Sequence, residues 1–156
     1  MNGKGTMIYS SGNRYVGEWK DGKISGSGSL YYADGDRYDG NWLDGKMNGY
    51  GVYIYVDGDK YEGEWKEDLR HGRGTVIYAA ENGASVAEKY EGEWFEGKMQ
   101  GHGCYHDSDG GVYEGEWYNG KMNGKGIYLF TNGNKYEGEW MEDQKQGRNC
   151  LNTYKY

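Results

Sequence analysis

The chain predicts an all-β fold: a repeat protein of stacked antiparallel β-hairpins in one elongated, twisted single-layer sheet shaped as a trough. Three observations carry that expectation. A motif of the form Tyr-x-Gly-x-Trp starts at Tyr15, Tyr38, Tyr61, Tyr90, Tyr113 and Tyr136, and all six tryptophans hold its last position. The starts lie 23 residues apart, with one step of 29 between Tyr61 and Tyr90; a fixed period in the twenties denotes one supersecondary unit stacked on copies of itself. Thirty glycines and no proline suit strands joined by tight turns.

Each unit reads as a hairpin. In Tyr38-Asp39-Gly40-Asn41-Trp42, alternation places Tyr, Gly and Trp on one face and polar residues on the other. Asp44-Gly45 then turns the chain, with Asp21-Gly22, Glu96-Gly97 and Asn119-Gly120 at the same place; Asx-Gly supplies the positive φ of a hairpin turn. A second strand follows, Gly49 to Tyr55, and a second turn at Asp57-Gly58, so the units join into a continuous meander. The array comprises a half repeat over 3–14, six repeats, and an insertion within 79–89.

The columns of the repeat indicate the packing. Met7, Leu30, Tyr53, Val76, Tyr105, Tyr128 and Leu151 share one position of the second strand. Tyr9, Tyr32, Tyr55, Tyr78, Asp107, Phe130 and Thr153 share the position two further on. By parity both lie on the face of the paired glycines, whose missing side chains leave room for a Tyr or Trp ring. A buried Trp removes about 150–250 Å² from water, worth roughly 4–6 kcal/mol per repeat as an upper bound. On the opposite face, basic residues (Arg14, Arg37, Lys60, Lys89, Lys135) precede the motif and acidic ones (Asp39, Glu62, Glu91, Glu114, Glu137) alternate with it, as on a solvated surface. The acidic position two residues later (Glu18, Glu64, Glu93, Glu116, Glu139) reads the same way.

A formal charge of −7 argues against a nucleic-acid partner, which needs a basic stripe. Two cysteines make no disulfide framework, which fits a reducing, cytoplasmic setting. No apolar leader or membrane-length run is evident. His102, Cys104 and His106 point the same way on a strand, but a fourth ligand is missing, so no metal is assigned. Catalytic motifs, and any need for a cofactor, are absent: the G-x-G pairs recur in every hairpin and open no helix. An enzyme is not expected.

Departures from the repeat mark individuality. Residues 79–89 hold six extra positions; Asp68 and Asp143 replace the turn glycine; and Gly147 to Tyr156 form a terminal strand with no further motif to pair with.

The run Tyr113-Glu114-Gly115-Glu116-Trp117-Tyr118-Asn119-Gly120-Lys121-Met122-Asn123-Gly124-Lys125-Gly126 resembles a MORN repeat (membrane occupation and recognition nexus), and the likeness extends from Gly3 to about Leu151. The resemblance implies stacked hairpins and a stand-alone scaffold, as in cytoskeletal, ciliary radial-spoke or junctional membrane-tethering members. Asp68 to Gly74 is similar to ciliary members.

The expected function is a scaffold that binds an extended or helical partner segment in an aromatic groove made of Tyr32, Tyr53, Tyr55, Tyr78, Tyr105, Tyr128 and Phe130, with the motif tyrosines beside them. Two alternatives belong to other classes. Lys23, Lys46, Lys98 and Lys121 line one row of turns as a basic edge for anionic phospholipid. Edge strands at the two ends could pair into a homodimer or filament. The expected location is cytoplasmic, associated with cytoskeleton or membrane.

Overall fold

The motif strand and its partner alternate along the chain, and the computed structural model shows how they pair. It describes residues 2–80, 87–147 and 150–151. The motif strands are β2 (Arg14–Lys20), β4 (Arg37–Leu43), β6 (Lys60–Lys66), β8 (Lys89–Phe95), β10 (Val112–Tyr118) and β12 (Lys135–Met141). The second strands are β1 (Gly3–Ile8), β3 (Lys23–Tyr31), β5 (Lys46–Ile54), β7 (Leu69–Ile77), β9 (Lys98–His106) and β11 (Lys121–Leu129), followed by the short β13 (Gln144–Gln146) and β14 (Cys150–Leu151). All lie in one open antiparallel sheet in sequence order from β1 to β13, with β14 also on β12. At about 4.8 Å per strand the ribbon runs about 60 Å. The insertion falls largely on residues 81–86, outside the described residues, as does most of the expected terminal strand.

The two rows of turns differ. Inside each hairpin both central residues have positive φ, as at Asp44 (49°) and Gly45 (87°), the type I′ geometry that Asx-Gly favours. In the described connections between repeats only the glycine is left-handed, as at Gly35 (107°). There the Tyr32 N–H donates to Asp36 O (2.9 Å) and the Gly35 N–H to Tyr32 O (3.2 Å), a type I turn closed by a glycine bulge. Asp68 and Asp143 also adopt positive φ (67° and 65°) despite their side chains. Each offsets that strain on the preceding repeat: the carboxylates accept the N–H groups of Met47 and Met122, both at 2.8 Å. Their own N–H groups donate to the carbonyls of the same two residues, both at 3.1 Å.

A bulge recurs inside the hairpins. Gly17 pairs with Gly28 and Trp19 with Ile24, so Glu18 alone faces Ser25, Gly26 and Ser27. This corrects the parity reading for the first glycine of each pair. Gly26 sits at φ +92°, and a Cβ there would lie 2.1 Å from Glu18 Oε2, on the face away from the aromatics. The bulge also gives the second motif carboxylate a task beyond solvation. Glu18, Glu64 and Glu116 accept the backbone N–H that follows the bulge glycine, from Ser27 (2.9 Å), Arg73 (2.9 Å) and Lys125 (2.7 Å). The first motif acid does form ion pairs with the preceding base, as in Arg37–Asp39 (2.6 Å) and Lys60–Glu62 (2.7 Å).

The core lies on the other face. In the first five hairpins the motif tyrosine folds its ring over the glycine pair: a Cβ on Gly51 would meet Tyr38 Oη at 2.2 Å and ring carbons at 2.5 Å. Its hydroxyl donates to the backbone carbonyl three residues on, as from Tyr38 to Asn41 O (3.0 Å) and Tyr90 to Glu93 O (2.9 Å). The ring then meets two tryptophans edge-on, its own and the next repeat's: Tyr38–Trp42 at 5.0 Å and 89°, Tyr38–Trp65 at 5.4 Å and 83°. The pattern holds for Tyr15, Tyr38, Tyr61, Tyr90 and Tyr113, and Tyr136 meets its own Trp140 alone. Indole N–H groups complete it by donating to the preceding repeat's glycine carbonyl, Trp42 to Gly28 O (3.0 Å) and Trp65 to Gly51 O (3.2 Å). Trp19 and Trp140, nearest the two ends, are the buried indoles without such an acceptor among the described residues.

Replacing Gly51 with Ala should therefore destabilise the fold by about 1–3 kcal/mol, because the new methyl overlaps a ring that cannot move. Lys66→Ala, on an exposed position, should stay within about 0.5 kcal/mol. Urea midpoints of the two variants test this; equal midpoints would show that the ring is free to shift.

Candidate functional site

The register brings the expected groove residues onto the aromatic face. Tyr53 stands opposite Tyr38 in its own hairpin and opposite Tyr61 in the next. Tyr32, Tyr53, Tyr55, Tyr78, Tyr105, Tyr128 and Phe130 are all half-buried. Five of the rings touch in two groups: Tyr32–Tyr53 at 5.8 Å and Tyr53–Tyr55 at 4.4 Å, and Tyr128–Phe130 at 4.7 Å. Tyr53 and Tyr105 also lean on Trp65 (5.9 Å) and Trp117 (6.1 Å). The motif tyrosines are not part of the accessible surface. Tyr15, Tyr38, Tyr61, Tyr90 and Tyr113 are 0% exposed, closed in by the tryptophans that flank them.

Carboxylates at the connecting turns fix the groove rings. Tyr53 donates to Asp36 Oδ2 (2.7 Å) while Asp36 Oδ1 accepts the Val56 N–H (2.9 Å), so one side chain joins two repeats. Tyr105 donates to Glu88 (2.6 Å). In the fifth repeat the corresponding position is Gly111, and Tyr128 donates instead to Asp107, which also accepts the Gly111 N–H at 2.8 Å. Asp107 breaks the aromatic column of the sequence, and its carboxylate replaces the one that Gly111 lacks. A side chain at Gly111 would in turn strike Tyr128 Oη, 2.2 Å from its Cβ. Burial, with help from these acids, raises the phenols of Tyr53 and Tyr105 well above the ordinary range and that of Tyr128 to about 12. They act as neutral hydrogen-bond donors.

Two cations on this face were missed in the sequence. Ile24, Met47, Met99 and Met122 stand opposite the tryptophans of their hairpins; Arg70 and Lys145 take that place in the third and sixth repeats. The Arg70 guanidinium lies 5.0 Å from the rings of Tyr61 and Trp94, and its Nη2 donates to the Tyr55 hydroxyl at 2.5 Å. Lys145 stands 4.2 Å from Phe130 and 5.8 Å from Trp140. The signal lies in the column itself, an apolar position that turns basic in two repeats.

The lysine row sits along the hairpin turns, and each ammonium is held by the next repeat. Lys23 pairs with Asp44 (3.6 Å), Lys46 with Glu67, Lys121 with Glu142, and Lys98 donates to Asn119 Oδ1 (2.5 Å). Between them Leu43, Leu69, Phe95, Tyr118 and Met141 are each about half exposed, from 46% to 61%. On the outer face Cys104 Sγ lies 3.5 Å from His106 Nε2, and no cluster suited to a metal occurs among the described residues.

The MORN repeat model matches residues 1–14, 15–37, 38–60, 61–81, 90–112, 113–135 and 136–148. The chain belongs to the MORN-repeat family. No curated protein sequence matches it. MORN repeats are associated with scaffolds that bind proteins or membranes, and an all-β array of this kind is typically non-enzymatic. In this MORN array the chemistry on offer is aromatic contact area, fixed hydroxyls and two cations on one face.

The buried motif tyrosines give the array an alkaline limit. Burial raises the phenols of Tyr15 and Tyr113 to about 12, from 10.0 in the open chain, and pushes those of Tyr38, Tyr61 and Tyr90 up in the same direction. The raised values favour the neutral form in the fold, so their stabilisation is complete below pH 10 and is lost as pH climbs from there towards 12. A phenolate absorbance titration should show a cooperative step that coincides with loss of the tryptophan near-UV circular dichroism. Gradual ionisation with the dichroism retained would contradict it.

Proposed function

We propose that the protein is a non-enzymatic adaptor that binds an extended or helical segment of a partner protein along its aromatic face, as part of a cytoplasmic assembly tied to cytoskeleton, cilium or membrane. The observation that supports this reading is the series of half-buried rings on one face from Tyr32 to Phe130, three of them (Tyr53, Tyr105 and Tyr128) already oriented by Asp36, Glu88 and Asp107. Aromatic rings held in place lose little entropy on contact, which is why Tyr, Trp and Arg dominate binding hot spots. Capture from cell lysate followed by cross-linking tests it. A discrete partner should cross-link next to Tyr55 and Tyr78 and be lost, more than tenfold, from a folded Tyr55→Ala/Tyr78→Ala variant. Equal capture by both proteins would move the interface elsewhere.

A second reading rests on the turn row. Leu43, Leu69, Phe95, Tyr118 and Met141 project beside lysines of which three, Lys23, Lys46 and Lys121, are already paired with acids. Contact with a phospholipid surface there would come from apolar insertion rather than attraction to anionic headgroups. Flotation with phosphatidylserine vesicles should then persist at high salt and fail in Phe95→Ser/Tyr118→Ser. Binding abolished by salt alone would reject insertion.

A further inference from the structure

The aromatic face carries opposite charges that are not equally available. Its carboxylates are engaged: Asp36 by Tyr53 and the Val56 N–H, Asp59 by the Ala79 N–H at 2.7 Å, Glu88 by Tyr105, and Asp107 by Tyr128 and Gly111. The turn carboxylates of Asp68 and Asp143 accept from Met47 and Met122. Arg70 differs. Of the five N–H donors on a guanidinium, one is spent on the Tyr55 hydroxyl, and no carboxylate stands within ion-pair distance among the described residues. The side chain is half-buried and lies against Tyr61 and Trp94, so its orientation is set before any ligand arrives.

We infer that Arg70 is the specificity-determining residue of the aromatic face, and that the partner segment presents an Asp or Glu carboxylate to its guanidinium. This rests on the proposed binding of a protein segment to that face. A planar guanidinium with a fixed plane suits a bidentate carboxylate, and the low-dielectric aromatic surroundings strengthen the pair. Lys145 supplies a second, weaker point of the same sign. It lies six strands further along the sheet, from β7 to β13, or about 29 Å at the usual strand spacing. A helix of about 19 residues spans that distance. The partner is therefore an apolar or aromatic segment carrying acidic side chains, one of them opposite Arg70.

Replacement by methionine, the residue that Met47, Met99 and Met122 place at the same position, leaves the repeat pattern intact. A phage-displayed library of random 20-residue peptides, a length set by the helical span of about 19 residues, would be selected on the full chain. Individual peptides would then be measured on wild type, Arg70→Met, Arg70→Lys and Tyr55→Ala/Tyr78→Ala. The expected ligands carry aromatic or aliphatic residues with at least one acid, bind Arg70→Met at least tenfold more weakly, and are partly restored by Arg70→Lys. Peptides that need Tyr55 and Tyr78 but show no acid preference and bind Arg70→Met unchanged would overturn the assignment of Arg70 and leave the binding face standing. Ligands indifferent to Tyr55 and Tyr78, or no ligands at all, would overturn both.

Discussion

The array depends on one arrangement, a tyrosine ring lying on a pair of glycines and standing edge-on between two tryptophans. A single-layer sheet has no second layer to bury its apolar face against. The motif solves this within the layer. Glycines at facing positions, such as Gly40 and Gly51, clear a floor for the Tyr38 ring. Trp42 and Trp65 then wall it in, and the Tyr38 hydroxyl is satisfied by Asn41 O. Each edge-to-face pair adds roughly 0.5–1.5 kcal/mol beyond burial. Because the first five motif tyrosines each bridge two repeats, hairpins that would be marginal alone become one cooperative array.

The two sheet margins are tied by different means, and both bonds run between repeats. At the hairpin turns, backbone N–H groups such as that of Gly45 reach the carbonyl of the preceding repeat, here Ile24 O at 2.8 Å. At the connecting turns, side-chain carboxylates make the link, Asp36 to Val56 and Asp59 to Ala79. The lysine row belongs to the first system. Three of its ammonium groups, those of Lys23, Lys46 and Lys121, are counter-charges for the turn acids of the next repeat, so an edge that reads as basic in one dimension is largely offset in the folded array.

Most of the fold was legible because the repeat displays each constraint six times. The Tyr-Gly-Trp alternation set the face, and the Asx-Gly pairs set the hairpin turns. The bulge was not legible. Alternation assumes an unbroken pleat, and Gly26 at positive φ reverses its side-chain direction while leaving the sequence spacing unchanged. The carboxylates of Glu18 and its equivalents looked solvated for the same reason, since the N–H they accept exists only where the bulge leaves it unpaired. Among the candidate site residues, the seven groove rings follow from strand parity alone. The exclusion of the motif tyrosines does not, because it depends on ring packing between repeats. Arg70 and Lys145 were passed over because a basic residue in one column looks like surface until its neighbours prove to be Trp94 and Phe130.

The same division shows where a MORN repeat is free to acquire individuality. Tyrosine, both glycines and tryptophan are held by packing, and the second motif acid by the bulge. The residue over the tryptophan and the ring at the far end of the second strand are held by neither. Their requirements are only to cover an indole and to lie flat, which Met, Ile, Arg or Lys can meet at one place and Tyr or Phe at the other. In the third repeat the two free positions touch across a repeat boundary, Arg70 against Tyr55, and couple a cation to an aromatic surface. A partner reading this array would meet much the same scaffold from repeat to repeat, with distinguishing cations at Arg70 and Lys145.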